Sequence, residues 1–165
     1  MAASVQSVAV GQEFVEVTDR FTYLGSEISD SAGCSLEVNK RLGKAWGVMS
    51  SLEKGVWRCR YLSQKAKISV FSTLVLPVLL YGCESWTLSK DLRRRLNAFG
   101  TKSLRRILGY RWVDRVSNQR LLEETGMRPV TCIIRERQLR LFGHVARCPE
   151  NDPVHRILTA SEPVG

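Results

Sequence analysis

The 165-residue sequence has little of what most metal and catalytic sites are built from. It contains only two histidines, no Cys-x-x-Cys pair among its five cysteines, and no closely spaced aspartates. A zinc site needs about four converging ligands, and two-metal phosphoryl transfer needs clustered carboxylates. His144 and Cys148 are either half of a metal site or surface residues near a helix end, and no second pair stands nearby. The sequence therefore predicts no metal site, no catalytic residue and no cofactor in this chain.

Long hydrophobic runs and a secretory leader are also missing. The longest apolar stretch, Val70 to Tyr81, has about a dozen residues and contains Pro77, whereas a membrane-spanning helix needs about 20. This pattern favours a buried central helix kinked at Pro77. Met1 to Gly11 has neither the basic start nor the apolar core of a signal peptide. Because the cysteines are odd in number and scattered, we expect free thiols and an intracellular protein, nuclear or cytoplasmic, without a membrane partner.

Positive charge is what the sequence has in excess. Lysine and arginine total 25 against 16 aspartates and glutamates, which gives a net charge of +9. Residues 90–115 contain nine basic and two acidic side chains, whereas residues 1–30 contain one basic and five acidic ones. A positive field concentrated in one region steers a polyanion better than dispersed charge. We therefore expect a nucleic acid as the partner, and no small-molecule substrate.

The hydrophobic pattern changes from strands to helices near residue 35. The segments FVEV (14–17) and FTYLGSEIS (21–29) are rich in β-branched and aromatic residues, which predicts two strands joined by a turn at 17–20. Apolar residues then recur at helical spacing, which predicts helices over 35–55, 63–82, 90–109, 114–126 and 129–148. The expected fold class is mainly α, a helical bundle preceded by a short N-terminal β-hairpin.

Two of these helices are predicted to be amphipathic, with one apolar and one basic side. In the helix over 90–109, leucines and Phe99 share one arc, with Arg93 as the only cation among them. The opposite arc is basic and contains Arg94, Arg95, Lys102, Arg105 and Arg106. In the last helix the predicted apolar side consists of Ile134, Leu139, Leu141, Phe142 and Val145. Its other side contains Arg137, Arg140, His144 and Arg147.

A basic helical face is either a nucleic-acid contact or a solvated surface. A solvated surface is usually mixed in sign, whereas the helix over 90–109 has Asp91 as its counter-charge. The planar fork of arginine suits phosphate oxygens. We therefore predict nucleic-acid contacts from this set: Lys40, Lys44, Arg94, Arg95, Lys102, Arg105, Arg106, Arg137 and Arg140. The neighbouring aromatic residues either stack on bases or pack in the core, and they are Trp57, Tyr61, Tyr110 and Trp112.

Four segments occur in an order and spacing that resemble a known family. They are FTYLGSEIS (21–29), KAKISVFSTLVLPVLLYGCESWTL (65–88), FGTKSLRRILGYRWVDRVSNQRLL (99–122) and IIRERQLRLFGHVARCP (133–149). Together, over about residues 10–155, they resemble the C-terminal thumb and post-thumb region of reverse transcriptases of non-LTR (LINE-type) retrotransposons. In that family this region follows the catalytic palm.

The resemblance implies a division of the chain and a missing active site. It implies a palm-junction remnant over 1–33, a thumb-like bundle over 34–113, a post-thumb extension over 114–148 and a flexible tail over 149–165. The implied primer-grip-like strand consists of Tyr23, Leu24 and Gly25. The active-site aspartates and their Mg²⁺ would belong to an upstream palm. We therefore expect this chain to begin as a truncated copy of a transposable element or as an excerpt of a longer gene, and to be inactive alone as an RNA-directed DNA polymerase.

The function implied by the resemblance is a grip on the template–primer duplex without sequence readout. The expected partners are RNA or an RNA–DNA duplex, bound through phosphate contacts, and the palm domain of a polymerase. The alternative is a domesticated helical protein-interaction domain with no nucleic-acid role. Such a domain would use the apolar surface over residues 71–81.

Overall fold

The computed structural model describes residues 33–149, apart from the Trp112 side chain, and the backbone of four short strands before them. These strands are β1 (Ser7–Val10), β2 (Glu13–Glu16), β3 (Arg20–Tyr23) and β4 (Ser26–Ser29). Strand β1 pairs antiparallel with β2, and β3 pairs antiparallel with β4, in two separate sheets.

The strand arrangement differs from the one that the sequence predicts. The expected partner of the strand over 14–17 is the segment 21–29, but Val15 lies opposite Val8 of β1. The segment 21–29 is not one strand, because Phe21 of β3 lies opposite Ile28 of β4. The residues that connect these strands lie outside the described part of the chain. The predicted N-terminal β-hairpin is therefore not supported.

Helices dominate the described residues, so the mainly α fold class is confirmed. The helices are α1 (Gly33–Ser51), α2 (Gln64–Val70), α3 (Leu76–Leu79), α4 (Lys90–Leu108), α5 (Asn118–Thr125) and α6 (Val130–Val145). Two π-turns occur at Glu53–Trp57 and Phe71–Val75, and two 3-10 turns at Cys83–Ser85 and Trp112–Asp114.

Local capping signals in the sequence place some helix ends correctly and others not. The hydroxyl of Ser63 accepts a hydrogen bond from the backbone N–H of Ala66 (3.2 Å), so the start of α2 is confirmed. The predicted C-cap at Gly126 is also confirmed, with φ +64°. The predicted start at Ser35 is wrong because α1 begins at Gly33. The predicted start at Asp114 is wrong because Ser117 caps α5.

Pro77 is accommodated by a change of helical winding. Helix α2, the π-turn at Phe71–Val75 and α3 follow one another without a break in the chain. Proline has no N–H and its ring clashes with the carbonyl four residues earlier, so a wider turn relieves the crowding before it. The helix is also not buried on every side, since Leu74 is half exposed. Among the described residues, no helix combines the length and apolar character needed to cross a bilayer.

One hydrophobic core holds the described helices together. Phe99 of α4 belongs to this core and lies edge-on to Trp46 of α1, with ring centres 4.8 Å apart. Its ring centre lies 6.4 Å from that of Phe71 in the π-turn. The same core includes Leu121 and Ile134 from the segment 114–148. The division at residue 113 stays a prediction, and residues on both sides of it share this core.

The inner side of α6 differs from the predicted one. Val130 and Ile134 are buried, but Leu139, Leu141 and Phe142 are 58%, 47% and 58% exposed. The Gln138 side-chain amide instead donates to the carbonyls of Cys83 (3.3 Å) and Trp86 (2.8 Å). These carbonyls lie in and just after the 3-10 turn at Cys83–Ser85, where the Cys83 carbonyl also accepts the backbone N–H of Trp86 (3.2 Å). Polar side chains therefore fill the inner side of α6 next to this turn.

Gly100 sets how closely α4 approaches α6. A Cβ atom at this position would lie 2.9 Å from Cγ2 of Val130, whose branched side chain has little rotamer freedom. We expect Gly100→Ala to destabilise the fold by about 1–2 kcal/mol, because the clash outweighs the helix propensity of alanine. Gly47→Ala in α1 is the matched control, since no atom other than the neighbouring backbone of α1 lies within 4 Å of its added Cβ.

The control substitution should have the opposite effect on the free energy of unfolding. Alanine is a better helix former than glycine by about 1 kcal/mol, so we expect Gly47→Ala to raise the free energy of unfolding by about 0.5–1 kcal/mol. Urea unfolding followed by circular dichroism measures both variants. Equal stabilisation by the two substitutions would show that the α4–α6 contact is looser than described.

Candidate functional site

Helix α4 is anchored at both ends and along its inner side. Its N-cap residue Ser89 accepts a hydrogen bond from the N–H of Leu92 (3.3 Å), and Gly109 ends it with φ +77°. The predicted apolar arc is buried, with Leu92, Leu96, Phe99, Leu104 and Ile107 in the core. The opposite arc therefore faces outward, and Arg94, Arg95, Lys102 and Arg106 are exposed on it, with Arg105 half buried.

A shallow groove between α1 and α4 brings two of the predicted cations together. Its volume is about 280 Å³, and we call it the α1–α4 groove; its lining residues are Leu42, Trp46, Arg95, Ala98, Phe99 and Lys102. The guanidinium of Arg95 donates to the Asn39 side-chain oxygen of α1 (2.5 Å), a neutral acceptor that leaves its charge uncompensated. Lys102 has no ion pair or hydrogen bond within the described part of the chain. The groove is therefore positively charged on its α4 side.

The other three cations of this arc are engaged with neighbouring groups. Arg94 pairs with Asp91 on the same helix, at 2.8 Å. Arg105 donates to the backbone carbonyl of Val116 (2.8 Å), so it binds the segment before α5. Arg106 lies 2.7 Å from a carboxylate oxygen of Glu53 in the first π-turn. The sequence places all five cations on one arc of α4. Contacts with neighbouring groups distinguish Arg94, Arg105 and Arg106 from the two cations of the groove.

Glu53 lies between two arginines. Arg58 donates to one of its carboxylate oxygens (2.9 Å), while Arg106 faces the other oxygen. Burial raises the pKa of Glu53, but the hydrogen bonds and charges of Arg58 and Arg106 outweigh this effect and lower the pKa overall. The carboxylate is therefore ionised at neutral pH and compensates part of the charge of Arg106. No pattern in the sequence pointed to this pairing, because the π-turn and α4 are far apart along the chain.

The predicted contact residues outside α4 fall into two places. Lys40 and Lys44 are exposed on α1, and Arg137 and Arg140 lie on α6; none of the four lines the α1–α4 groove. Arg137 donates to the Leu80 carbonyl (3.4 Å). Arg140 pairs with Glu136 at 3.0 Å. The structure therefore does not bring the α6 arginines together with those of the groove.

The aromatic residues near the basic segments have different environments. Trp57 is buried, and its indole N–H donates to the Met49 carbonyl (2.8 Å), so the packing interpretation is correct for this residue. The Tyr110 hydroxyl donates to Glu124 (2.8 Å), and this hydrogen bond raises its pKa. Tyr61 is 99% exposed. The Trp112 side chain lies outside the described part of the structure.

The predicted primer-grip-like strand falls mostly outside the described residues. Tyr23 ends β3, and its backbone is described, whereas Leu24 and Gly25 are not part of the described chain. Their predicted role stays a prediction.

Metal-binding and thiol chemistry find little support in residues 33–149. No group of three or more His, Cys, Asp or Glu side chains in this range could hold a metal ion. The five cysteines, which all lie in this range, are free thiols. Burial raises the pKa of the Cys83 thiol to about 11, so this thiol stays protonated at neutral pH.

Two further polar features were missed at the level of sequence. Glu37 and Arg41 are one helical turn apart and form a buried ion pair on α1, with the Arg41 guanidinium 4.4 Å from the Tyr81 ring centre. Arg93, the one cation on the apolar arc of α4, lines a second cleft together with Arg135 of α6. The position of Arg93 among leucines was the only sequence signal for this cleft.

Comparison with known proteins indicates a transposon-related origin. A transposon-derived protein of Caenorhabditis elegans, itself described as uncharacterized, is 27% identical to the chain over 135 residues. The matched region covers 78% of this chain and 47% of the relative, so the chain spans about half of the length of the relative. No family model matches the chain, and no solved structure matches it.

Proposed function

We propose that this chain is a nucleic-acid-binding module without its own catalytic site. In this proposal it is the thumb and post-thumb part of a reverse transcriptase from a non-LTR retrotransposon, and it grips RNA or an RNA–DNA duplex through phosphate contacts. The observation that carries the proposal is the α1–α4 groove, where Arg95 and Lys102 lie together. None of the described residues that line this groove is acidic. The relation to a transposon-derived protein supports the same origin.

The charges around the groove suit a phosphate backbone better than a base edge. Arg95 and Lys102 flank a shallow apolar floor that includes Trp46 and Phe99. Phosphate contacts position a protein on a duplex but do not read its sequence. Arg94 does not line this groove, and its exposed ion pair with Asp91 is worth only about 0–1 kcal/mol. The proposed mode of binding is therefore electrostatic and independent of sequence.

Salt dependence is the direct test of this mode. If the two cations of the groove, Arg95 and Lys102, each neutralise one phosphate, log K should fall with log[salt] with a slope of roughly −1.4 to −1.8. Fluorescence anisotropy of a labelled RNA–DNA hybrid across a salt series measures this slope. Absence of binding at low salt, or an affinity that does not change with salt, would contradict the proposal. A primer-extension reaction with Mg²⁺ is the control, and nucleotide incorporation would contradict the non-catalytic assignment.

A protein-interaction role is the second candidate, and the exposed side of α6 favours it. Leu139, Leu141 and Phe142 expose apolar side chains there, and contiguous exposed apolar surface commonly marks an interaction site. The surface over residues 71–81 exposes less apolar area, because Phe71 is buried while Leu74 and Tyr81 are about half exposed. Sedimentation velocity separates the candidates for self-association, since a monodisperse monomer would argue against assembly through α6.

A further inference from the structure

A cleft between the start of α4 and the first half of α6 has a composition unlike that of the α1–α4 groove. Its volume is about 480 Å³, and we call it the α4–α6 cleft. Its lining residues are Trp86, Thr87, Leu88, Arg93, Thr131, Cys132, Ile134, Arg135 and Gln138. None of them lines the α1–α4 groove. The cleft is therefore a separate place on the molecule.

Arg93 and Arg135 are the only charged residues that line the α4–α6 cleft within the described chain. Arg93 uses its Nε–H to donate to the Leu88 carbonyl (3.2 Å), which leaves its two terminal nitrogens without an assigned acceptor. Arg135 has neither an ion pair nor a hydrogen bond with another described residue. By contrast, Arg137 and Arg140 on the same helix each have a carboxylate neighbour. The positive charge of the cleft is therefore uncompensated.

Trp86 also lines the cleft, and its buried indole nitrogen is an unsatisfied donor. Its side chain is 5% exposed, and its indole N–H has no hydrogen-bond acceptor among the described residues. Buried donors normally have a partner, because leaving one unpaired is costly. Trp57 follows this rule, with the Met49 carbonyl as its acceptor. The Gln138 amide donates to the Trp86 carbonyl (2.8 Å), and this hydrogen bond holds the Trp86 backbone against α6.

We propose that the α4–α6 cleft binds a phosphate group. The two guanidinium groups supply charge-assisted, planar pairs of donors, which match the oxygens of phosphate. Two guanidinium groups offer more N–H donors than the two oxygens of one carboxylate can accept, whereas a phosphate group has three or four oxygens. The described lining contains no carboxylate that would favour a cation instead.

The phosphate has two possible sources, a free anion or the end or backbone of a nucleic-acid strand. The probes are inorganic phosphate and two single-stranded oligonucleotides of one sequence, with a 5′-phosphate or a 5′-hydroxyl. The oligonucleotides are tested with the Arg95→Glu/Lys102→Glu variant, in which the α1–α4 groove is repulsive. A preference for the 5′-phosphate identifies a terminal phosphate, equal binding identifies the backbone, and binding of inorganic phosphate alone identifies a free anion.

The indole N–H resonance of Trp86 in a ¹H–¹⁵N NMR spectrum is the readout. It is assigned with Trp86→Phe, and we expect it to move on addition of at least one probe while the Trp57 resonance stays in place. Arg93→Gln and Arg135→Gln should each weaken binding by about tenfold, because each removes a charge-assisted pair of hydrogen bonds. Arg147→Gln, at an exposed arginine outside the cleft, should leave binding unchanged.

Two results would overturn this proposal. The first is a Trp86 resonance that no probe moves, and the second is an Arg147→Gln variant that loses as much affinity as Arg135→Gln. Circular dichroism of each variant shows whether the fold is retained. If other substitutions unfold the chain, Trp86→Phe remains as a test, because it keeps an aromatic ring in the core. The outcome is independent of duplex binding at the α1–α4 groove, since Arg93→Gln and Arg135→Gln leave that groove intact.

Discussion

Replacing Arg95 and Lys102 with glutamate is expected to lower the affinity for an RNA–DNA hybrid by at least about 100-fold at low salt. Both side chains are exposed at the α1–α4 groove, and neither has a carboxylate partner among the described residues. The double substitution removes two phosphate contacts and adds two repulsive charges. Each lost contact needs to contribute only about 1.4 kcal/mol to give this factor. Anisotropy titrations of both proteins with the same hybrid measure the difference.

A control variant with the same change of net charge distinguishes binding at the α1–α4 groove from a general effect of the net charge of the protein. Arg60→Glu/Lys65→Glu reverses two exposed cations that do not line the groove. We expect this control to lose no more than about threefold in affinity, because distant exposed charges are largely screened by salt. An equal loss in both variants would show that net charge, and not the groove, drives binding. Circular dichroism should be unchanged, since all four side chains face solvent.

Phe99→Ala is expected to destabilise the fold by about 3–5 kcal/mol. Phe99 is 2% exposed and joins α4 to Trp46 of α1 and to Phe71 of the π-turn. Truncation loses the buried apolar surface of the ring and leaves a cavity between three elements. Total stabilities of domains are about 5–15 kcal/mol, so a large share is lost. Urea unfolding of the variant and the parent protein gives the difference in free energy of unfolding.

The same substitution at Phe142 is the matched control. Phe142 is 58% exposed on α6, so Phe142→Ala should change the free energy of unfolding by less than about 0.5 kcal/mol. The sequence pattern places both phenylalanines on apolar helix faces, so it predicts similar losses for the two. A Phe142→Ala effect near that of Phe99→Ala would mean that another part of the chain covers this side of α6.

The contrast between α4 and α6 shows how well helical periodicity predicts which face of a helix is buried. In α4, core residues occur over the whole length, from Leu92 to Ile107, and the predicted inner arc is the buried one. In α6, only Val130 and Ile134 enter the core within the described chain. The second half of α6 packs beside the turn at Cys83–Ser85, where the Gln138 amide donates to the carbonyls of Cys83 and Trp86. A polar side chain therefore makes the contact with this turn, and the leucines of this half stay exposed.

The candidate site was predictable only in part, for a similar reason. The basic arc of α4 follows from local periodicity, because residues three and four positions apart share a side of a helix. Which cations remain uncompensated depends on distant residues such as Asn39 and Glu53. The α4–α6 cleft likewise joins Arg93 to Arg135, far apart along the chain.

The sequence by itself determined the helical fold class, the ends of α2 and α5 marked by Ser63 and Gly126, and the inner face of α4. These features depend on hydrogen bonds and apolar spacing within a few residues of one another. Only the tertiary structure decided the exposed side of α6, the π-turn before Pro77 and the partners of each arginine. Those features depend on which groups approach from other parts of the chain, and a periodic pattern carries no information about its neighbours.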